Sequence, residues 1–541
     1  MHFVLCKTHE SLSMSFYDQL SALDISIIIG YLVFVVLLGL YFGSKHEDAE
    51  DYFLAGRSLT WPIIGFSLFA SNMSSNSLVG LTGAGYNDGF SVFSYEWMAV
   101  LVLILFAVFF LPYYLKNKIF TIPEFLEKRY NYLTRAYASG IAIILNILVD
   151  VAATLYAGGI LIQLIFPQFS LWMIIGGLSI VAGLYTVSGG LSSVVYTDAI
   201  QAVILIFGSM LITYFAWDKS GGFEAVLQIT DPSHFDIIKP VSDDALPWPG
   251  LFTGVFLLGF YFWGTNQYIT QRTLAAKSKE QGQWGAMFAG FLKLSILFIM
   301  IFPGAFARVL YPDMADQADQ IYPTMLFDLL PNGILGLVLA GFIAALMSSI
   351  DSGLNSVSTL FTMDFYQKWY PKADRKQLML TGRIVTFVVM IIAALWAPQI
   401  VHAEKLWDYL QNTLSWFCPP IVALFALGIF WKRANSKGAL YAIIVGGLFT
   451  VYSILATVYA DSLWSVHFLY MTGIHFTLSC IALIIGSLSV AEDQRDMTGL
   501  VWNIKDYREE SVSLERMAWY KNYRYQGLAL VIITIIILVI Y

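Results

Sequence analysis

The sequence predicts an all-α polytopic membrane protein with about fourteen spanning helices, and three observations predict it. Of its 541 residues, 58% are hydrophobic and 12% charged, about half the charged share of a soluble chain. Runs such as ISIIIGYLVFVVLLGLYFG (25–43), VFSYEWMAVLVLILFAVFFLPYYL (92–115) and ALVIITIIILVIY (529–541) approach or exceed the roughly 20 residues that cross a bilayer as helix. None alternates in short segments as a membrane barrel would. The cations are also asymmetric. With both termini outside, only Lys7, Lys219, Lys239, Arg308 and Lys405 face outward, Lys293 lies within a span, and the rest of the 30 Lys and Arg fall in inward loops. That bias fits the positive-inside rule only for an even number of spans.

The elements follow in order. Residues 22–43 follow a polar leader without a small-residue cleavage site, which reads as a retained helix and not a signal peptide, with Met14 an alternative start. The next apolar stretch contains FASNMSSNSLVGLTGAG (69–85), whose Ser, Asn and Gly residues are poorly suited to face lipid. Backbone freed from helix is tolerated at membrane depth only where it faces protein or a cavity, so this stretch predicts a broken helix lining one. Close packing of small residues accounts for Gly80, Gly83 and Gly85 but not for Asn72 and Asn76, whose amides need partners. A second interruption stands at GFYFWGTNQYITQR (259–272), where Gly259, Gly264 and Asn266 break an aromatic helix. Paired interrupted helices are the mark of an inverted-repeat transporter with its site at the midplane. The expected division is one transporter domain over 1–541: an additional helix at 22–43, a five-helix unit at 59–217, its inverted copy at 249–431 and C-terminal helices over 437–541. The outward loop 218–248 and the inward stretch 490–520 hold short helices at most.

The residue chemistry narrows the class. Neither a G-x-x-x-x-G-K-[ST] loop nor an H-E-x-x-H motif is present, which removes the main signatures of ATP-driven pumping and zinc proteolysis. Cys6, Cys418 and Cys480 are too few and scattered for a disulfide framework. The seven histidines show no metal-ligand spacing, and no covalent chemistry, nucleic-acid partner, organic cofactor or obligate protein partner is implied. Five charges fall within spans: Glu96, Asp150, Asp198, Lys293 and Asp351. Intramembrane charges usually mark a pathway, although each alone could belong to a structural ion pair.

The segments EDYFLAGRSL (50–59), ASNMSS (70–75), SYEWM (94–98), YTVSGGLSSVVYTDAIQ (185–201), NQYITQRTLAAKS (266–278), SSIDSGLNSVSTLFTMDFY (348–366) and GIFWKRANSKGA (428–439) resemble, in order, the sodium/solute symporter family. The likeness is strongest to its sodium–glucose cotransporter branch, in particular the bacterial sodium/galactose symporter, and runs from about residue 25 to 490. It implies the LeuT-type fold with two inverted five-helix repeats and a co-transported sodium ion. The sodium ligands implied are the carbonyls of Ala70, Met73 and Ala345 and the hydroxyls of Ser348 and Ser349, neutral oxygens that suit a hard cation. Around the substrate it implies Asn72, Tyr95, Glu96, Lys293 and Gln411, with Leu81, Phe262 and Trp407 as gates. Asp150 stands where the galactose symporter has asparagine and is expected to pair with Lys293. Some family members carry a second sodium, which would fall on Asp198, Ser348, Asp351 and Ser352; the same residues could equally form an inner gate network.

Three contacts of the galactose symporter are replaced by Ser77, Ala99 and Gly259, which predicts a larger and less polar pocket. The expected function is sodium-coupled import of a sugar or sugar-like polyol by alternating access, in a plasma membrane and most simply a bacterial inner membrane. A sugar acid, inositol or amino acid as cargo, and a transporter-like sensor or channel, are the alternatives.

Overall fold

The computed structural model describes residues 20–43, 53–186, 191–403, 405–458, 466–491 and 495–541. The leader with Met14, Cys6 and Lys7 lies outside the described residues, as do positions 50–52 and 187–190 of the first and fourth motifs. The described chain is helical throughout, with only two isolated bridges, Leu59 to Ala276 and Lys239 to Pro247. Among the described residues ten helices are long and apolar enough to cross a membrane. Helix α1 (Ala22–Gly43), α6 (Leu171–Thr186) and two interrupted helices supply the remaining crossings of the fourteen expected.

The first interrupted helix is α2 (Trp61–Asn72) followed by α3 (Ser75–Asn87). Only Met73 and Ser74 leave helical geometry, so the polar stretch is unwound over two residues and helical on either side. Two of its glycines serve close packing. A Cβ on Gly83 would come within 2.7 Å of the Ala318 carbonyl oxygen, and one on Gly85 within 2.9 Å of that of Ile301. The long helices α4 (Gly89–Lys116) and α5 (Tyr132–Ile165) follow, then α6 and α7 (Leu191–Ser220).

The second interrupted helix runs over 248–265 as α8 and resumes as α9 (Gln267–Leu274). Its break is at Asn266, which turns to extended backbone (φ −79°, ψ 124°) and accepts the Tyr268 N–H on its own side chain. Gly259 sits in continuous helix within the segment Phe256–Phe260, seven residues before the break, and so does not interrupt it. Then come α10 (Lys279–Leu310), α11 (Ile334–Trp369), α12 (Arg375–His402) and α13 (Leu406–Phe430). The chain ends with α14 (Ser436–Val458), α15 (Phe468–Leu488), an exposed amphipathic helix α16 (Ile504–Glu515) and α17 (Tyr523–Ile540).

The range 59–217 holds the first interrupted helix and four further crossings, and 249–431 holds the second interrupted helix and four further crossings. Helix α1 is docked by a cap: buried Asp24 accepts the N–H groups of Gly333 and Gly336, both at 2.7 Å, at the start of α11. A carboxylate there complements the free amides and positive end of that helix. Among the described residues six π-turns interrupt the long helices, and three of them, Asn146–Val151, Leu251–Val255 and Tyr261–Thr265, carry residues of the central cavity. Single π-turns redirect side chains at functional positions.

Candidate functional site

The break between α2 and α3 removes the next turn's donors from the end of α2. The carbonyls of Phe69, Ser71 and Asn72 find replacements in the Met73 N–H (2.8 Å), the Tyr268 hydroxyl (2.8 Å) and the Ser77 hydroxyl (2.6 Å). Those of Ala70 and Met73 accept no hydrogen bond among the described residues. Tyr268 belongs to α9, so the two interrupted helices are tied at their breaks. On α11, Ala345, Ser348 and Ser349 are buried. The Ser349 hydroxyl lies beside the Tyr268 phenol yet makes no hydrogen bond of ordinary geometry. Buried polar atoms are normally paired, and a hydroxyl and carbonyls left open fit an oxygen-liganded cation. Ser348 differs, since its hydroxyl donates to Asp198.

Beside the break lies a central cavity of about 90 Å3. Asn72, Tyr95, Glu96, Asp150, Lys293 and Gln411 all line it, with Phe262 and Trp407. Leu81 is buried in α3 away from it. Lys293 of α10 is ion-paired with Glu96 of α4, and its ammonium donates to the Asn72 side-chain oxygen. It also stands 5.2 Å from the ring centre of Trp263, a cavity residue that the sequence reading passed over although it follows Phe262 in the aromatic run.

The expected Asp150–Lys293 pair is absent. Glu96 and Asn72 hold the ammonium, and Asp150, on the π-turn of α5, makes no side-chain hydrogen bond or ion pair among the described residues. Its carboxylate is buried and borders the cavity, as does the unpaired Asn76 side-chain oxygen.

The three replaced contacts contribute unequally. Ala99 does not reach the cavity, and the Ser77 hydroxyl is spent on the Asn72 carbonyl. A Cβ on Gly259 would meet only Val102, at 3.6 Å, so that glycine does leave room. The small volume, against roughly 300–1,000 Å3 for ordinary ligand pockets, reflects closure. Tyr95 and Trp407 meet edge to face, with ring centres 5.2 Å apart, and separate the cavity from a vestibule of about 620 Å3 that both also line.

A second charged cluster is enclosed. Arg272 of α9 donates to Ser67 (2.7 Å) and Ser352 (2.6 Å) and pairs with Asp198 of α7 at 3.4 Å. Asp198 further accepts from Ser67 at 2.6 Å and from Ser348. Arg272, Asp198 and Ser352 are fully buried, so a guanidinium already stands among three of the four residues expected at a second cation site. Asp351, the fourth, is buried on α11. Among the described residues, no cluster of His, Cys, Asp and Glu could hold a metal ion.

A family model described as the sodium:solute symporter family matches residues 52–446. The chain is 35% identical to sodium/glucose cotransporter 4 of Danio rerio, over 92% of this chain and 83% of that protein. It is 33% identical to sodium/myo-inositol cotransporter 2 of Oryctolagus cuniculus, over 88% of this chain and 78% of that protein. Among solved structures, a Na+-coupled sialic acid symporter in a substrate-bound outward-open state superposes with a TM-score of 0.76 at 26% identity, covering 87% of this chain and 99% of that one. Mhp1, a nucleobase-cation-symport-1 family transporter, superposes with a TM-score of 0.55 at 13% identity, over 85% and 99% of the two chains. Both neighbours have the LeuT fold.

Proposed function

The chain belongs to the sodium:solute symporter family, whose work is sodium-coupled solute transport, and we propose that its cargo is a neutral sugar or sugar-like polyol imported across a plasma membrane. The observation that carries the choice of cargo is the cavity that joins Lys293, Glu96, Asn72 and Gln411 under the Tyr95–Trp407 lid, with Asp150 and Asn76 left open. Each sugar hydroxyl both donates and accepts, so a mixture of ammonium, carboxylates and amides can satisfy several at once. A buried group left unpaired by an analogue without the matching hydroxyl makes the site selective. Two carboxylates against one ammonium disfavour an acid as cargo. The glucose and inositol relatives point the same way.

Sodium would bind at the break, bridging the open carbonyls of Ala70 on α2 and Met73 just beyond it to Ala345 and the serines of α11. Bound there, it holds the two helices together and favours the form open to the outside. The solute then draws Tyr95 and Trp407 shut. Loss of sodium inward releases α2 from α11 and opens the opposite side. The membrane potential adds about 2.3 kcal/mol per charge per 100 mV. Because Arg272 occupies the cluster of Asp198 and Ser352, we read that cluster as an internal tie and the stoichiometry as one sodium per solute. The dense cations of the inward loops set both termini outside.

Uptake into proteoliposomes from a panel of radiolabelled sugars, inositol, sugar acids and amino acids, with and without an inward sodium gradient, tests this reading. Sodium-dependent accumulation of one neutral polyol, with a Hill coefficient of about 1 for sodium, is the expected result. Accumulation of an acid overturns the cargo, a Hill coefficient near 2 overturns the stoichiometry, and binding without accumulation overturns transport.

A further inference from the structure

A cavity of about 570 Å3 opens at the lysine-rich end of the molecule and shares no residue with the central site. Four segments build it: the approach to α2 at Arg57, the end of α4 with the turn after it, the link between α9 and α10, and the run from Trp502 into the first half of α16. Lys116, Lys118 and Lys277 line it without an acidic partner among the described residues. Helix α16 contributes Asp506, Glu509 and Glu510, which share one helix face. Glu510 is taken by Lys279 (2.8 Å) and Arg524 (2.7 Å), whereas Asp506 and Glu509 form no ion pair among the described residues. The lining also includes Val108, Pro112 and Leu115 of α4. Val108 lies about 12 Å of helix rise before Lys116, so the cavity reaches from the charged surface into the apolar layer.

The backbone at this place is held in an unusual form. Arg57 (φ 49°) and Lys118 (φ 48°) occupy the left-handed region, and with Ala55 they are the non-glycine residues that do so among those described. The Arg57 guanidinium clamps them, donating to the carbonyls of Lys118 (3.2 Å), Ile119 (3.1 Å) and Leu274 (3.1 Å). Strained backbone persists where surrounding contacts enforce it, and it gathers at functional positions.

We propose that this cavity binds the headgroup of a zwitterionic aminophospholipid. Lys116, Lys118 and Lys277 take the phosphate, Asp506 and Glu509 take the primary ammonium, and the first acyl methylenes lie along Val108, Pro112 and Leu115. The two unpaired carboxylates argue against a purely anionic ligand, and the depth of the apolar wall argues against a soluble one. The site adjoins the bases of both interrupted helices. Leu59, just before α2, bonds to the segment after α9 through the Leu59 N–H to the Ala275 carbonyl (3.0 Å) and the Lys277 N–H to the Leu59 carbonyl (2.9 Å). An occupant therefore bears on the two elements that carry the breaks, whatever the transported solute is.

The test is lipid binding to the purified full-length protein by native mass spectrometry, with phosphatidylethanolamine, phosphatidylcholine, phosphatidylglycerol and soluble phosphoethanolamine as probes. Phosphatidylethanolamine should bind about fivefold more tightly than phosphatidylcholine, which keeps the phosphate but buries its charge under methyl groups. The pair Asp506→Asn with Glu509→Gln should erase that preference. The triple variant Lys116→Gln, Lys118→Gln, Lys277→Gln should weaken all three lipids. Unchanged melting of both variants in detergent confirms that they fold. Equal binding of phosphatidylethanolamine and phosphatidylcholine overturns the proposal, as does a preference that survives both variants. Tightest binding of phosphatidylglycerol overturns the zwitterionic assignment, and competition by phosphoethanolamine at the lipid's own affinity overturns the lipid.

Discussion

The Lys293–Glu96 cluster and the Arg272–Asp198 cluster both bury opposite charges at membrane depth, yet only one is complete. Around Asp198, the hydroxyls of Ser67, Ser71 and Ser348 and a guanidinium fill the carboxylate, and the same guanidinium also satisfies Ser67, Ser352 and the Tyr268 carbonyl. Around Lys293, the ammonium is held but Asp150 and the Asn76 side-chain oxygen stay open on a cavity. A satisfied buried network rigidifies what it joins, here α2, α7, α9 and α11. A network with open valences is completed by something that arrives. The difference is between a closed tie among four helices and a set of polar groups still open on a cavity.

The comparison breaks most visibly at Arg272. Arg272→Ala should cost about 3–5 kcal/mol of stability, because it strands Asp198 without its cation. Thermal unfolding in detergent reads this, and adding Asp198→Asn should recover part of the loss. Equal loss in the single and double variants would mean that the pair is not the source. Lys293→Ala should instead abolish uptake, a fall of at least about 100-fold, with a smaller change in melting because Glu96 borders a cavity that water can enter. A fully active Lys293→Ala would remove the cluster from the solute site.

Between the two clusters, Ser349→Ala should raise the sodium concentration for half-maximal uptake about tenfold, while the solute KM at saturating sodium stays near wild type. A change in solute KM alone would move Ser349 out of the ion's coordination. Asp150→Asn should weaken uptake several-fold, about 1 kcal/mol, since an amide keeps one acceptor and loses the charge.

The smallest effect belongs to a carboxylate outside the spans. Burial pushes Asp319 up to about 6, while the Leu406 N–H that it accepts pulls the other way. A carboxyl raised by folding binds more protons folded than unfolded between its ordinary value and about 6, so its contribution to stability is present below that window and is lost as pH rises through it. Asp319→Asn should flatten the melting profile between about pH 4 and 6 and stabilise at pH 7 by on the order of 1 kcal/mol, once solvent screening is allowed for. An unchanged profile would leave the outer loop without that linkage.

Much of the architecture was legible because hydrocarbon imposes it: long apolar runs, sided cations and polar residues where helices break. The residues that the motif order singled out, Asn72, Tyr95, Glu96, Asp150, Lys293 and Gln411, meet at one cavity from five separate segments. Sequence could not choose between two carboxylates for Lys293. Spacing along a helix says which residues share a face, and the π-turn at Asn146–Val151 alters which way Asp150 faces. Nor could it see that Arg272 reaches Asp198, 74 positions away in the chain, because a polar side chain on α9 finds its partner only once α7 is packed beside it.

By itself the sequence determined that this chain crosses the membrane many times, that its helices break at 69–85 and near 266, and which charges would lie inside. Those outcomes follow from transfer energies and backbone satisfaction, which are local. The tertiary structure decided which charges neutralise one another and which, like Asp150, stay open on a cavity, because at membrane depth the pairing of a charge depends on the few ångströms between side chains of different helices.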